Sequence, residues 1–416
     1  ETLEGPTIMM TFVDRHVTGG VDTHDDVHVA AVCDTETGRV IDTSPFPTTD
    51  AGYAELLSWM TAHGIIDQIG VESTGSWGAG LTRHLRAAGV KVIEVDRPDR
   101  KARRKDGKTD TIDAVAAARA VISGRATGTP KTRDGSVEAI RQLEIVYHAA
   151  TRDRTRAINQ FKAIIVAAPA ALRHRLRDDL SLRNQLARAR RFTDNHPDLV
   201  EQQTRFALRE LARRIEFLDA HNSRLEARIS ELVIAHCPAL IGLAGVGPHS
   251  AAQLLAAAGD NPQRIRSEAA FAKLCGVCPM PASSGKTTRH RLNRGGDRRA
   301  NNALFTIVLN RMQRDPNTRA YVERRTTEGM SKKEIMRCLK RYVAREIYHV
   351  LTNPPTELIT GEQVRAIRNE RGLSLRTVAT QFSTCAIQIS RLERGLLHDT
   401  RRLEQIHHWI SNHPLT

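Results

Sequence analysis

Four carboxylates are spaced so that they could share metal ions. Asp110 and Asp113 stand three residues apart in GKTDTIDA, and if this stretch is helical both lie on one helix face. Asp22 and Glu72 each come at or near the end of a run typical of a β-strand. Four carboxylates at one sheet edge would repel one another unless cations neutralised them. Paired Mg²⁺ (or Mn²⁺) ions suit such oxygen donors and would assist phosphoryl transfer.

Each of these carboxylates also has a plainer interpretation. A DxxD pair taken alone is more often a solvated helix face. Asp25 could compete with Asp22 as a ligand, although residues 22 and 25 of a continuous strand would point to opposite faces. His24 would share the face of Asp22, yet a lone histidine more often has a structural or supporting role. The prediction therefore depends on all four carboxylates converging.

The charge of the chain favours a polyanionic partner. Lys and Arg number 62 against 47 Asp and Glu, a formal net charge of +15, so DNA or RNA is the first expectation. Basic residues that could hold phosphates precede Asp110: Arg97, Arg100, Lys101, Arg103, Arg104 and Lys108. We expect them to lie beside the carboxylates.

A second candidate centre is the stretch PASSGKTTRHR. A serine is a poor nucleophile unless a base or a metal activates it. Ser284, or its neighbour Ser283, precedes Gly285 and lies among cations that could hold a phosphodiester: Lys286, Arg289, Arg291, Arg294 and Arg298. The alternative is a loop that only contacts phosphate.

The first part of the chain must fold so that these carboxylates meet. Residues 19–40 alternate apolar and polar side chains and then break at DTETG, which predicts a strand and a hairpin. IDQIGVEST and VKVIEVD predict further strands, and GAGLTRHLRAAG predicts a helix between them. This order indicates an α/β domain over roughly residues 17–130, with ligand sites at the carboxyl ends of its strands.

Residues 131–236 predict long helices because they are rich in Arg and Ala and almost lack Gly. Within them, apolar positions form a heptad seam: Leu208, Leu211, Ile215, Leu218, Asn222, Leu225, Ile229 and Leu232. This seam favours either a coiled coil between chains or packing against the preceding helix of the same chain, and both remain open.

Two further stretches predict contacts with DNA. In residues 237–352, LAGVGPHSAAQLLA has the pattern of a helix-hairpin-helix, whose Gly245 and Gly247 could present backbone amides to a phosphate or form a turn that only packs. NPPTE then predicts a linker over residues 353–360. Residues 361–395 resemble the helix-turn-helix of phage-repressor-like regulators, with a recognition helix over 386–393 that offers Gln388, Ser390 and Arg391 to a major groove, although such modules also make protein contacts.

The cysteine count and the lack of long apolar runs argue against a disulfide-rich or membrane-spanning protein. Six cysteines are too sparse and irregular for a disulfide framework. No apolar run of about 18 residues and no charged-then-apolar signal segment are present, so we expect a soluble, intracellular protein without a membrane partner.

Five stretches together resemble transposases of the IS110 family of bacterial insertion sequences. They are GVDTHDDVHVAAV, VESTGSWGAGL, VIEVDRPDRKARRKDGKTDTIDAVAAARA, LAGVGPHSAAQLLA and SSGK…RLNRGGDRRANNAL, and the resemblance covers about residues 17–352. It implies a RuvC-like (RNase H-like) nuclease domain with its four carboxylates at Asp22, Glu72, Asp110 and Asp113. It also implies a coiled-coil insertion, and a second domain, at 237–352, whose catalytic serine maps best onto Ser284.

The resemblance also implies a mechanism and partners. The family cuts and rejoins DNA through a phosphoserine link, with divalent metal, in dimers or tetramers. A structured bridge RNA pairs with donor and target DNA, so base pairing would choose the sequence. For this chain we expect DNA, bridge RNA and further copies as partners, in the cytoplasm and nucleoid of a bacterium.

Some parts of the chain stand outside or depart from this pattern. Residues 1–16 are expected to be disordered or unrelated to the fold, and the helix-turn-helix region, 361–416, has no counterpart in the resemblance. Asp25 stands where relatives often have a basic residue, and the doubled serine leaves Ser283 open. Two other functions remain alternatives: a hydrolytic nuclease or junction resolvase that uses water, and a non-catalytic DNA-binding regulator.

Overall fold

The computed structural model of the protein describes residues 15–96, 109–177, 181–193, 195–285, 290–291, 293, 295–354, 359–397 and 399–413. The chain divides into two compact units. The first runs to Gly135 and includes Gly259–Arg264, and the second contains Ser136–Ala258 and the chain from Ile265 onwards. The predicted boundary at residues 236–237 therefore falls inside the second unit.

A mixed five-stranded sheet forms the centre of the first unit, in the order β3-β2-β1-β4-β5. Its strands are β1 (His16–Asp22), β2 (Val27–Asp34), β3 (Val40–Pro47), β4 (Ile65–Glu72) and β5 (Val92–Val95). The first three pair antiparallel, whereas β4 runs parallel to β1 and β5 runs parallel to β4. The α/β arrangement predicted from the alternation of apolar and polar residues is thus present.

Helices cover this sheet: α1 (Asp50–Ala62), α2 (Ala79–Ala87) and α3 (Asp110–Ile122). Helix α3 packs closely on β1 because both present small residues. A Cβ atom on Gly20 of β1 would lie 2.2 Å from the carbonyl oxygen of Ala114 and 2.3 Å from the backbone nitrogen of Ala118. Only glycine allows this approach of the two backbones.

The strand predicted to run through His24 and Asp25 is shorter than expected. β1 ends at Asp22, and residues 23–26 connect it to β2 with a bend at Asp25 and Asp26. These polar residues offer no apolar partner for a buried sheet face, so the alternation that extends a half-buried strand is lost. The prediction that residues 22 and 25 point to opposite faces of one strand is therefore wrong.

Two long helices open the second unit and pack against each other. They are α4 (Ser136–Ala167) and α7 (Leu199–His236), with α5 (Ala170–Arg177) and α6 (Leu182–Ala189) between them. The start of α4 shares a core with the end of α7, and its end shares a core with the start of α7, so the two helices run antiparallel. Seam residues of α7 buried in these cores include Leu208, Ile215 and Ile229. The heptad seam therefore packs within the chain.

Shorter elements complete the main core of this unit. They are α8 (Pro238–Ile241), α9 (Pro248–Ala258), α10 (Glu268–Leu274), the strand pair β6 (Met280–Pro281) and β7 (His290–Arg291), α11 (Arg298–Arg314), α12 (Pro316–Thr327) and α13 (Lys332–Thr352). Buried residues of α9, α11 and α13 join those at the ends of α4 and α7 in one hydrophobic core.

The C-terminal region has a hydrophobic core of its own. Its helices are α14 (Gly361–Glu370), α15 (Leu375–Gln381), α16 (Ala386–Glu393) and α17 (Thr400–Ser411). Helix α16 has the bounds predicted for the recognition helix. Beneath it, buried Arg368 donates two hydrogen bonds to Glu393, at 2.6 and 3.0 Å, which fix α14 against α16.

In the described part of the chain, every helix is either too short or too polar to cross a lipid bilayer. All six cysteines are free thiols.

Candidate metal centre and nucleic-acid interface

The ends of β1 and β4 carry Asp22 and Glu72 to the same sheet edge. These strands are parallel neighbours in which Val21 pairs with Val71, so the next residue of each strand follows at the carboxyl end. The hydroxyl of Thr23 donates a 3.1 Å hydrogen bond to the carbonyl oxygen of Glu72. The two strand ends are thus tied together where the chain leaves the sheet.

The first turn of α3 supplies the other two carboxylates. Thr109 caps the helix, since its hydroxyl oxygen accepts a hydrogen bond from the Ile112 amide at 3.3 Å. Asp110 and Asp113 both lie in this turn, where the helix dipole favours negative charge. Asp113 is buried, whereas about half of the Asp110 side chain is exposed.

The closest group of potential ligands contains a histidine. Nε2 of His24 lies 3.2 Å from Oδ2 of Asp22 and 3.4 Å from Oδ1 of Asp110. Among the described residues, these three offer donor atoms within 4.8 Å of one another. Glu72 and Asp113 lie outside this closest group, and both are buried. From the sequence, His24 is expected to have a structural or supporting role, and its spacing of two residues from Asp22 is the signal that points to the site.

Burial and neighbouring charges shift the pKa values of Asp22 and His28. Burial raises the pKa of Asp22, and the carboxylates of Asp113 and Asp110 raise it further, while the nearby His24 opposes the shift. Behind His24, the buried ring of His28 stacks on Tyr53, and burial lowers the pKa of His28 to about 4. Nδ1 of this neutral ring accepts a 3.4 Å hydrogen bond from the His24 amide.

The donor set fits a divalent cation. Buried carboxylates are costly unless a cation or hydrogen bonds offset their charge. Here, buried Asp22 and half-exposed Asp110 place oxygens next to an imidazole nitrogen, with buried Asp113 close enough to raise the pKa of Asp22. Oxygen and nitrogen donors at this spacing could hold one ion and position a phosphate oxygen beside it.

The candidate nucleophiles lie on the surface of the second unit. Ser283 and Ser284 follow β6 and are both exposed, and Gly285 has a φ of +56°, in the left-handed region that glycine adopts readily. Of the basic residues predicted beside them, Arg291 and Arg298 are exposed. Lys286, Arg289 and Arg294 lie outside the described residues.

A network of partly buried hydrogen bonds holds Cys275 and Gly276, the residues that lead into β6. The Asn301 amide donates to the carbonyl oxygens of Cys275 and Gly276, at 2.9 and 3.1 Å. Lys340 is buried and donates a 2.8 Å hydrogen bond to the Asn301 side-chain oxygen. Burial lowers the pKa of Lys340. A Cβ on Gly296 would lie 2.2 Å from the Gly276 backbone nitrogen. These contacts give Gly296 and Asn301 of the GGDRRANNAL stretch a structural role in holding Cys275 and Gly276, which precede β6.

The GVGP turn lies between α8 and α9 with both of its glycines exposed. Gly245 has a φ of +75°, which favours glycine, and no atom lies within 4 Å of where a Cβ on Gly247 would be. Arg311 donates a 2.7 Å hydrogen bond from Nε to the carbonyl oxygen of Ala244. The turn is therefore bonded to Arg311 at Ala244, while Gly247 faces open space.

Helix α16 exposes one face to solvent. Gln388 and Arg391 are exposed on it, Ser390 is half-buried, and Ile387 is 70% exposed. The Gln388 side chain also contacts Thr384. The predicted phosphate-binding residues Arg97, Arg100, Lys101, Arg103, Arg104 and Lys108 lie outside the described residues.

Known proteins resemble the chain over both of the regions that hold candidate centres. A family model for the DEDD domain of the IS110 type, described as a transposase, matches residues 19–168. A second model, described as "Transposase IS116/IS110/IS902 family", matches residues 237–323. The carboxylates lie within the first match and Ser284 within the second.

Two curated proteins are also similar to parts of the chain. The "Insertion element IS110 uncharacterized 43.6 kDa protein" of Streptomyces coelicolor is 30% identical over 165 residues, 37% of this chain and 40% of that protein. The "Insertion element IS900 uncharacterized 42 kDa protein" of Mycobacterium paratuberculosis is 29% identical over 134 residues, 32% of this chain and 34% of that protein. The matches thus span well under half the length of these relatives.

Proposed function

The chain belongs to the IS110 family of transposases, and we propose that it moves an insertion-sequence element by cutting and rejoining DNA strands. The observation that carries this proposal is the group at the sheet edge, where Asp22, His24 and Asp110 offer donor atoms within 4.8 Å. Asp22, Glu72, Asp110 and Asp113 would hold divalent metal, Mg²⁺ or Mn²⁺. Bound there, the metal would stabilise negative charge on a phosphate and a leaving oxygen.

Ser284 is the proposed nucleophile. Attack by its hydroxyl oxygen on phosphorus would form a phosphoserine bond, break one phosphodiester bond and leave a free hydroxyl end on the other strand segment. Attack by the hydroxyl of a new strand would reverse these changes, so rejoining needs neither water nor ATP. Its exposure and the glycine that follows it support this role, since a DNA backbone could approach it. Its neighbour Ser283 has a matching exposure and serves as the internal comparison.

A denaturing gel tests this step directly. The full-length protein is incubated with Mg²⁺, RNA purified with it, and nicked DNA of the element's end, and protein-linked DNA is then scored. We expect a linked band that Ser284→Ala and Asp22→Asn abolish and Ser283→Ala retains. If Ser284→Ala keeps the band, Ser284 is not the nucleophile. Cleavage without any linked band would instead favour the hydrolytic nuclease.

We propose that the choice of DNA sites depends on RNA. By family likeness, a structured bridge RNA would pair with donor and target DNA while the basic residues hold backbones. Support on the chain itself is the net charge of +15 and the exposed glycines Gly245 and Gly247 before α9. Sequencing the nucleic acid that stays bound through a high-salt wash tests it. One RNA with loops matching two DNA sites is expected; random fragments would contradict guidance.

The likeness to IS110-family transposases also suggests how copies of the chain assemble. The carboxylates and Ser284 belong to different units of the chain, and the family joins one copy's carboxylates to another copy's serine. We therefore propose a dimer or tetramer on DNA. Mixing Asp22→Asn with Ser284→Ala copies should restore the linked band, because each copy then supplies what the other lacks. No restoration would place both centres of one reaction in a single copy.

The C-terminal helices are proposed to read DNA sequence through α16. The exposed Gln388 and Arg391, with Ser390 between them, support contacts to base edges in a major groove. Selection of preferred sequences from random DNA tests this role. We expect Arg391→Ala to change the selected sequence, whereas Arg376→Ala, which removes an equal exposed charge from α15, should weaken all sequences alike. Selection of no sequence by the wild type would favour a protein contact.

A further inference from the structure

We propose that His24 is a ligand of the cation held by Asp22 and Asp110, and that its nitrogen makes the site prefer Mn²⁺ to Mg²⁺. This inference rests on the proposed metal site and goes beyond it, since the four carboxylates alone would provide only oxygen donors. It assigns the metal preference of the site to one side chain in the β1–β2 connection.

The separations of the three donor atoms support a shared ion. Two ligands in adjacent positions about one octahedral ion, each about 2.1 Å from it, lie roughly 3 Å apart. Nε2 of His24 lies 3.2 Å from the Asp22 oxygen and 3.4 Å from the Asp110 oxygen. Small movements of the exposed His24 and Asp110 side chains would therefore suffice to bring all three donors to one ion.

Hydrogen bonds on both sides anchor the backbone around His24, although its side chain is half-exposed. The His24 amide donates to Nδ1 of His28, a ring that is buried and stacked on Tyr53 at a centroid distance of 5.7 Å. On its other side, Thr23 is buried and bonded to the end of β4. These anchors hold the connection in which Nε2 of His24 lies within 3.4 Å of an oxygen of Asp22 and of Asp110.

The chemistry of the donor decides which ion is favoured. Mg²⁺ is a hard ion that prefers oxygen ligands and keeps several waters, whereas imidazole nitrogen suits transition metals. If His24 only formed an ion pair with the two aspartates, it would compete with Mn²⁺ and Mg²⁺ equally for their oxygens. Such an ion pair would give no preference for one metal. A difference between Mn²⁺ and Mg²⁺ therefore separates the ligand role from the ion pair.

Metal binding by the full-length protein, without any DNA, tests the proposal. After chelator treatment, Mn²⁺ is titrated against the electron paramagnetic resonance signal of the free ion, and Mg²⁺ is titrated by competition. We expect Mn²⁺ to bind at least roughly tenfold more tightly than Mg²⁺, and His24→Ala to weaken Mn²⁺ by at least the roughly tenfold that loss of a ligand's supporting contact causes. Mg²⁺ affinity should change much less.

One further measurement and one control variant separate the ligand role of His24 from a general loss of metal binding. Electron spin echo modulation from a coordinated nitrogen should be present in wild type bound to Mn²⁺ and absent from His24→Ala. His16→Ala is the matched control, because His16 contacts an aspartate, Asp67, at the opposite end of β1, and it should behave as wild type. Unchanged Mn²⁺ affinity and modulation in His24→Ala would overturn the ligand role alone. Failure of wild type to bind either ion would overturn the proposed metal site with it.

Discussion

Several buried carboxylates in this protein are matched by nitrogen donors that offset their charge. Asp22 faces His24, and Glu393 receives two hydrogen bonds from Arg368. In the second unit, Glu144 of α4 lies 2.9 Å from Nε2 of His148 and 2.9 Å from Nδ1 of His249. Burial alone would raise the pKa of Glu144, but these two histidines lower it overall. This carboxylate therefore stabilises the fold while it stays ionised.

The first prediction concerns that carboxylate. Glu144→Gln should lower the free energy of unfolding at pH 7 by about 1.5 to 3 kcal/mol, because hydrogen bonds to a buried charge are lost. Since the folded pKa lies below the ordinary value of 4.5, the advantage of wild type is complete above that pH and disappears as the pH falls through the folded pKa. Urea unfolding of both proteins at pH 7 and at lower pH measures it.

The control for Glu144→Gln is Glu231→Gln. Glu231 of α7 forms an exposed pair with Arg228, so its loss should change the free energy of unfolding very little. A difference between wild type and Glu144→Gln that stays constant down to low pH would show that the charge of Glu144 is not what stabilises α4 against α9.

At the scale of the elements, the position of α3 sets where two of the four candidate carboxylates, Asp110 and Asp113, lie. It begins at Thr109 and carries Asp110 and Asp113 in its first turn, and its small residues let it lie directly on β1. The edge reached by its first turn is the edge where β1 and β4 end. Changes at the helix cap and at the helix–sheet contact should therefore alter metal binding without touching a ligand.

Loss of the cap gives the second prediction. Thr109→Ala should lower stability by about 1 kcal/mol, because the Ile112 amide loses its acceptor, and it should also weaken Mn²⁺ binding as the first turn frays. Thr49→Ala removes the corresponding cap of α1, where Thr49 accepts from Gly52. It should cost similar stability and leave Mn²⁺ binding unchanged. Equal effects of the two changes on the metal would contradict the local role of α3.

The helix–sheet contact gives the third prediction. Gly20→Ala should lower stability by at least 1 to 3 kcal/mol, the usual cost of about one extra methyl group in a packed core, because its Cβ meets backbone atoms that cannot rotate away. Helix α3 must then shift, and Mn²⁺ binding should be lost even where the protein stays folded. Gly128→Ala is the comparison, since its nearest contact would be an ordinary 3.5 Å. Normal metal binding in Gly20→Ala would rule out this packing requirement.

At the scale of the whole molecule, the residues proposed for different functions belong to different folded regions. The carboxylates belong to the first unit and Ser284 to the second. Within the second unit, the C-terminal helices have a core drawn only from residues 359–410. Their buried ion pair, Arg368 with Glu393, is also internal to that region. These helices should therefore fold without the rest of the chain.

The fourth prediction tests that independence. A fragment from residue 355 to the end of the chain should melt cooperatively by circular dichroism. Arg368→Ala should destabilise it by about 3 to 5 kcal/mol, because Glu393 is left buried without its partner, which is enough to unfold a region of this size. Arg394→Ala, an exposed change just beyond α16, should melt as the fragment does. A fragment that is unfolded from the outset would contradict an autonomous core.

The sequence by itself determined the local elements and the types of residue at the candidate site. Alternation and helical spacing predicted strands at or near whose ends Asp22 and Glu72 lie, and a helix that carries Asp110 and Asp113 on one face. The resemblance to phage-repressor-like regulators predicted α16. These features follow from interactions between residues that are neighbours along the chain, such as caps, turns and the period of apolar side chains. These features can therefore be predicted without a structure.

Only the tertiary structure decided which of these residues meet. Because β1 ends at Asp22, His24 does not lie on a strand face, and its ring contacts Asp22 and Asp110. Asp110 lies at that edge of the sheet because α3 packs on Gly20 of β1. The seam of α7 could equally have paired with another chain, and its burial against α4 was settled by the antiparallel pairing of two distant helices. Contacts between residues so far apart depend on the whole packed core, which no local pattern encodes.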